Sequence, residues 1–391
     1  MSRLPNIQFV SRPRIIDLGW GHPDPDLLPT ALISRAYSAA IARHGADALQ
    51  YGYCSGPGSL LEWLVARIGE QEGRKPADDE IMITAGASCG LDLILKALAR
   101  PGDSILVESP TYHLATRMLK DHQLDLVPVA TDHDGIIVEE LVARLRERNS
   151  LARPPRLLYT VSTFNNPTSV SLSEPRRRAL VELAARQGLI IVEDDVYREL
   201  SYESAPPRSL WSMATGGVVA RLGSFSKSLA PGLRLGWLTA DSDLIRSITQ
   251  NGLLDSGGGL NHFCAMAVST LCEAGDYDAH IAHLISAYRA RRDALVTSLA
   301  EYLPKDCALS SPQGGYFAWL TLPPGCSSDA LLPYAESTGT SFLPGSQFDL
   351  VGRGKEQLRL SFSRYSVDML MEATRRLGRA FNLYIETAAH S

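Results

Sequence analysis

No apolar run in this chain is long enough to cross a bilayer. The strongest, Leu189-Ile190-Ile191-Val192, falls far short of the roughly 20 residues a spanning helix needs. Met1-Ser2-Arg3-Leu4-Pro5 lacks the apolar stretch of a secretory leader, so a cytoplasmic protein without a membrane partner is expected. The six cysteines (54, 89, 264, 272, 307 and 326) make no C-x-x-C pair and no regular framework, which argues against a disulfide scaffold and for reduced thiols. Positive charge is not in excess: 38 Lys and Arg against 43 Asp and Glu leave a net charge of -5, and no global field to attract nucleic acid. The basic clusters Arg176-Arg177-Arg178 and Arg289-Ala290-Arg291-Arg292 read as solvated helix faces. His280 and His283 can share a helix face, but no third ligand is placed near them, so no metal is expected. Internal repeats and low-complexity stretches are absent.

What is present is a globular composition, 45% hydrophobic and 21% charged over 391 residues, enough for two or three domains. From residue 80 onward short apolar runs alternate with amphipathic ones. Strands are predicted at 80–84, 104–108, 124–129, 156–161, 189–193, 218–223 and 235–239, with helices at 88–100 and 112–121. Buried strands separated by helices specify an α/β domain with a mostly parallel sheet and helices on both faces. A long helix at 277–302 precedes an α+β pattern: strands at 316–322 and 358–362, helices at 329–338 and 367–383. The expected division is an N-terminal segment, 1–45, packing on a small C-terminal domain, 286–391, with a large domain at 46–285.

The chemistry-bearing residues follow the predicted strands, where ligands bind in such sheets. Ser224-Phe225-Ser226-Lys227, then Ala230-Pro231-Gly232-Leu233-Arg234, places a lysine beside two hydroxyls with an arginine seven residues on. The lysine can form a Schiff base with an aldehyde while the hydroxyls and guanidinium hold a phosphate, a combination that describes pyridoxal phosphate. The plain alternative is an exposed Ser/Lys turn. Gly86-Ala87-Ser88 lies between a strand and a helix, where N–H groups and the helix dipole favour phosphate, without the spacing of a nucleotide-binding loop. Glu193-Asp194-Asp195-Val196-Tyr197 ends the strongest strand in carboxylates: a partner for a pyridine nitrogen, or a solvated strand end. Asn165-Asn166-Pro167-Thr168 offers an amide to a phenolic oxygen, or is an ordinary Asn-Pro turn.

Taken together and in order, these motifs resemble the fold-type I pyridoxal-phosphate enzymes of the aminotransferase class I/II family. The branch most resembled contains 2-aminoadipate aminotransferases and the C-terminal domains of MocR-type regulators. The resemblance runs from Gly19-Trp20-Gly21-His22-Pro23-Asp24-Pro25 to Leu358-Arg359-Leu360-Ser361-Phe362-Ser363. It implies a seven-stranded large-domain sheet, with Lys227 carrying the cofactor and moving the proton. Asp194 is then the partner of the ring nitrogen, Tyr197 and Asn166 lie on the phenolic oxygen, and Tyr112 stacks on the ring. Gly86, Ala87, Ser88, Ser224, Ser226 and Arg234 form the phosphate cup. Arg359 grips the substrate α-carboxylate, with Gly21, Trp20 and Asn166 beside the substrate. Tyr51 reaches the phosphate of a neighbouring subunit, which implies a homodimer with shared active sites.

Two places depart from the family pattern. Ser169 stands where the family commonly has glycine, tolerable unless the backbone requires positive φ. Ser256-Gly257-Gly258-Gly259 suggests a close backbone approach, a mobile gate or simply a loop. The resemblance implies transfer of an amino group from an aliphatic, aromatic or 2-aminoadipate-type amino acid to a 2-oxo acid. The rivals are a non-transaminating pyridoxal enzyme (β-eliminating lyase, decarboxylase or oxidative deaminase), because the same residues serve each, and a MocR-like ligand-sensing domain. Gly19 to Pro25 begins too near the start to leave room for a helix-turn-helix, which disfavours the latter.

Overall fold

The computed structural model describes residues 12–148, 154–309 and 311–389. Residues 1–11 of the expected N-terminal segment, and the last two residues, lie outside the described residues. A short strand, Ile16–Asp17 (β1), leads into helices Thr30–His44 (α1) and Gly58–Glu72 (α2). Then follow β2 (Ile81–Thr84), β3 (Ser104–Ser109), β4 (Asp125–Asp132), β5 (Gly135–Ile136), β6 (Leu157–Thr160), β7 (Ile190–Asp194), β8 (Val219–Ser224) and β9 (Gly236–Thr239). Helices Ala87–Leu98 (α3) and His113–Asp121 (α4) follow β2 and β3.

These strands form one sheet in the order β2-β9-β8-β7-β6-β3-β4-β5. The five from β8 to β4 are parallel, while β9 runs antiparallel between β8 and β2. The sheet has eight strands rather than the expected seven, because two-residue β5 pairs back onto the end of β4. Both faces are buried, which is why the strands read as continuous apolar runs. Leu106, Leu158, Ile191 and Val219 pack into one layer, and their strand neighbours Val107, Tyr159, Val192 and Ala220 into the other. The strand order reverses between β3 and β6, so the loops leaving their carboxyl ends part there and open a crevice.

The C-terminal third builds a smaller antiparallel sheet from β10 (Ala308–Leu309), β11 (Phe317–Thr321), β13 (Leu343–Pro344) and β14 (Gln357–Ser361), in the order β10-β11-β14-β13. Between β11 and β13, β12 (Thr340–Ser341) pairs in parallel with β1. Ile16 and Leu18 therefore share a core with Leu295, Leu299, Leu358, Leu370 and Phe381. The long helices Asp276–Tyr302 and Val367–Ala389 contribute to that core.

The basic clusters are not simply solvated faces. Arg177 is fully buried and donates to the carbonyls of Leu172 (2.8 Å) and Ser162 (2.6 Å), with Glu193 3.5 Å away. Arg291 and Arg292 are also buried, donating to the carbonyls of Ser363 and Pro312. Buried strand ends and loops leave carbonyls and carboxylates that these guanidiniums satisfy, a need invisible in the local sequence. At 256–259 the backbone shows the close approach: Ser256 and Gly257 end the helix Gly252–Gly257, and Gly258 and Gly259 follow with φ of 63° and 90°. A Cβ on Gly259 would lie 2.1 Å from the Tyr53 carbonyl oxygen.

Candidate active site

The carboxyl ends of β7 and β8, the turn after β6 and the start of α3 meet the small sheet along one crevice. Lys227 follows β8 in a turn closed by the Leu229 N–H on the Phe225 carbonyl (2.8 Å). Its Nζ lies 3.5 Å from the Gly21 carbonyl oxygen, with the Tyr197 and Tyr316 rings 5.6 and 5.3 Å away. The Tyr316 hydroxyl donates to the Lys227 carbonyl at 3.1 Å and holds the turn from the other side. Burial pushes the amine down to about 8, with the Arg359 charge acting in the same direction and Asp194 opposing. A neutral, nucleophilic amine is thus accessible near neutral pH.

Strand alternation separates the two adjacent aspartates, of which the resemblance singled out Asp194. Asp194 turns toward the crevice, its Oδ2 accepting from the Tyr159 hydroxyl at 2.6 Å and its buried Oδ1 accepting from nothing among the described residues. Burial raises it to about 6, with the Tyr159 hydrogen bond opposing. Asp195 faces the other way, against Arg198 (2.6 Å) and Arg221 (2.9 Å). Burial acts to raise it, and those guanidiniums more than cancel the effect, so it stays an anion. Asp195 is structural.

At the other end of the crevice, β14 places Arg359 under the turn after β6. Its Nη1 donates to Asn166 Oδ1 (2.7 Å) and its Nη2 to the Gly19 carbonyl (2.5 Å), while Nε has no partner. The guanidinium lies 4.0 Å over the Phe317 ring and 4.8 Å over that of Phe348. No carboxylate among the described residues pairs with it, and burial lowers it to about 10. The Asn166 side chain also hydrogen-bonds the Tyr197 hydroxyl, whose ionisation burial suppresses. Gly21 closes this end: a Cβ there would sit 2.5 Å from the Phe317 ring. Trp20 stands beside it, its ring 5.7 Å from that of His22.

The phosphate candidates collect where β2 and β8 end and β9 begins, with Thr84 and Ser224 flanking Gly236. Gly86 caps α3 at φ 90° and, having no side chain, offers no cap to the first turn's N–H groups at Ala87 and Ser88. Arg234, in the left-handed region at φ 47°, donates to the carbonyls of Pro231 (3.2 Å) and Ala85 (3.3 Å). The φ of 90° at Gly86 favours glycine, and a Cβ there would press on the tip of the Arg234 side chain at 2.6 Å. Ser226 donates its N–H to Ser224 Oγ at 3.1 Å, and Tyr112 forms the N-cap of α4, one residue later than the helix start expected from sequence.

Tyr51 stands apart. It is 81% exposed, beside Tyr53 at 76%, against the Gly258–Gly259 turn. Ser169 does occupy a positive-φ position (59°), where its hydroxyl donates to the Phe317 carbonyl, a bond glycine could not make. Sequence reasoning missed Tyr159, Tyr316, Phe317, Phe348 and Glu108. The first four carry no local signal, but Glu108 marks a strand end much as Asp194 does.

The residues present fit pyridoxal phosphate. Asp194 Oδ1 is a buried acceptor awaiting a donor, Gly86 and Arg234 shape a cradle at a helix start, and the Arg359 fork lacks its anion. The class I and II aminotransferase family matches residues 13–377. The chain belongs to that family. The aromatic-amino-acid aminotransferase 1 of Thermococcus litoralis is 34% identical over 95% of this chain and 89% of its own length. The 2-aminoadipate transaminase of Thermus thermophilus is 31% identical over 96% and 92%. The crystal structure of Pyrococcus horikoshii kynurenine aminotransferase, in complex with PMP, superposes with a TM-score of 0.89 at 34% identity, covering 95% of this chain and 91% of that one. The chain is therefore a pyridoxal-phosphate-dependent aminotransferase of fold type I. Among the described residues, no helix of this aminotransferase is long and apolar enough to cross a membrane.

Proposed function

We propose that this aminotransferase moves the amino group of an L-amino acid, of aliphatic, aromatic or 2-aminoadipate type, to a 2-oxo acid through Lys227. The observation that carries the reading is a crevice holding Lys227, Asp194 and Arg359, three ionisable groups of opposite need, none neutralised by a side-chain ion pair. Pyridoxal phosphate, when bound, supplies an aldehyde for amine exchange and a ring that accepts the electron pair released at the substrate Cα.

The chain's own residues do the rest. Asp194 would pair with the ring nitrogen and keep it protonated, its carboxylate held by the Tyr159 hydrogen bond. Tyr197 and Asn166 would donate to the cofactor's phenolic oxygen, and Tyr112 would lie against its ring. Gly86, Ala87, Ser88, Ser224, Ser226 and Arg234 would hold its phosphate. Arg359 takes the α-carboxylate in a fork, which aligns the Cα–H bond with the amine of Lys227. Lys227 then takes the Cα proton, its lowered basicity suiting it to accept and return that proton near neutral pH. Gly21 and Trp20 border the substrate.

Tyr51 completes the phosphate cup of a second copy in this reading, which makes the protein a homodimer. The exposed cluster of Leu49, Tyr51, Tyr53 and Leu253 supports that assignment. A small domain at 286–391 takes the start of the N-terminal segment through Ile16 and Leu18, whereas α1 of the same segment packs through Ala36 and Ala40 into the core of the large domain rather than on the small one. Borohydride reduction of the loaded protein followed by peptide mass mapping tests the central residue. The pyridoxyl group is expected on Lys227, and finding it elsewhere, or nowhere, refutes the proposal.

A further inference from the structure

Glu108, at the end of β3, is 3% exposed and has no part in the roles assigned above. Its Oε1 accepts from the Val161 N–H (2.6 Å), the Asn165 carboxamide (2.8 Å) and the Thr111 hydroxyl (3.3 Å). Its Oε2 accepts from the Thr160 hydroxyl (2.8 Å). Among the described residues no lysine or arginine pairs with it, and burial raises it to about 8. A carboxyl without a cation is an expensive way to stabilise a core. What it does achieve is geometric.

The donors come from both sides of the crevice, at the point where the strand order reverses between β3 and β6. Thr111 immediately precedes Tyr112. Val161 and Asn165 bracket the chain that leads from β6 to Asn166. The other end of the Asn165 carboxamide, Oδ1, accepts from the Thr168 N–H (3.1 Å) and hydroxyl (3.0 Å), which closes the loop carrying Asn166. Asn166 in turn receives Arg359 at 2.7 Å. A path of hydrogen bonds and single peptide links (Thr111 to Tyr112, Asn165 to Asn166) thus runs from one carboxyl to the ring-stacking tyrosine on one side and the carboxylate clamp on the other.

We propose that Glu108 is a positioning residue that sets Tyr112, Asn166 and, through Asn166, Arg359 in a common frame across the crevice. The proposal rests on the cofactor site described above. A residue serving stability alone would change the melting temperature and leave cofactor and substrate constants where they are.

The test compares wild type, Glu108→Ala and Glu108→Gln. Glutamine keeps an acceptor toward Val161 and Asn165 and can donate to the Thr160 hydroxyl, so it preserves the frame. Three quantities are read: the affinity of the cofactor-free protein for pyridoxal phosphate, the pH midpoint of the visible band of the loaded protein, and KM against kcat for an amino acid. Glu108→Ala is expected to weaken cofactor affinity and raise KM by about tenfold each, on the scale of one lost hydrogen bond. Its band midpoint is expected to move by about half a unit or more, threefold in the constant. Glu108→Gln is expected to stay within about twofold of wild type in each constant. Unchanged constants in Glu108→Ala, whatever its melting temperature, overturn the proposal, and so does an equal loss in Glu108→Gln. Should Glu108→Ala fail to fold, Asn165→Ala breaks the same path from its far side, and its unchanged constants overturn the proposal equally. A wild-type protein that takes up no pyridoxal phosphate defeats the site assignment instead, so the two failures are distinguishable.

Discussion

Replacing Arg359 by methionine separates recognition from stability in a way that few substitutions here do. Burial lowers this guanidinium to about 10, and it has no carboxylate among the described residues. Holding the charge therefore costs the substrate-free protein on the order of 3 kcal/mol. Methionine removes that cost and keeps much of the volume between the Phe317 and Phe348 rings. It forfeits two hydrogen bonds, to Asn166 Oδ1 and the Gly19 carbonyl, worth roughly 1.5–3 kcal/mol each for a charged donor. The opposing contributions nearly cancel, so the substrate-free protein should keep its unfolding free energy within about 3 kcal/mol. The substrate sees no such cancellation. A desolvated, forked guanidinium–carboxylate pair is worth about 3–4 kcal/mol, or 10²–10³ in kcat/KM. The sharpest assay compares an amino acid with the amine that lacks its α-carboxylate. Wild type should prefer the amino acid by about 10²–10³, and Arg359→Met should shrink the preference to within about tenfold, mainly through KM. A preference that survives the substitution refutes the assignment of the carboxylate to Arg359.

Asp194 should leave a pH signature in the cofactor-free protein. Its folded value is raised to about 6, so the folded state holds the proton more tightly than the unfolded one. The resulting stability is present below about pH 4 and lost as pH rises through about 6, up to ~3 kcal/mol. Asp194→Asn should therefore match wild type near pH 4 and exceed it at pH 7 in denaturant melts, while binding pyridoxal phosphate more weakly; identical pH profiles would contradict the burial argument. Gly259→Ala should impair folding severely, because its Cβ meets the Tyr53 carbonyl at 2.1 Å with φ at 90°. A variant with wild-type melting temperature would mean the 256–259 segment moves freely away from Tyr53.

The large sheet was legible because parallel strands buried on both faces give apolar runs that end abruptly in polar residues. Those endings also located Asp194, Asn166 and Lys227. Residue type alone could not separate Asp194 from Asp195, which only the family resemblance distinguished, since the pleat decides which carboxylate meets Arg198 and Arg221 and which meets the Tyr159 hydroxyl. Arg359 posed the same difficulty. A lone arginine in a strand pairs with a carboxylate more often than it waits for one, and only the three-dimensional neighbourhood shows the missing partner. Arg177 erred in the opposite direction, because a run of three arginines suggests water while the middle one serves a buried loop. Glu108 and Tyr159 were missed because, Thr111 apart, their partners lie 35 to 57 residues away in sequence. Ser169 shows a further limit: its positive φ is a property of the turn, and its compensation is a hydrogen bond to a strand 148 residues on.

The most direct measurement mixes the loaded protein with single amino acids in the absence of any 2-oxo acid and follows the cofactor's absorption. Stoichiometric conversion to the pyridoxamine form is expected, together with one equivalent of 2-oxo acid, reversed on adding a second 2-oxo acid and lost in Lys227→Ala. Repeated turnover without an acceptor, releasing ammonia, carbon dioxide or peroxide while the aldehyde form persists, would contradict it.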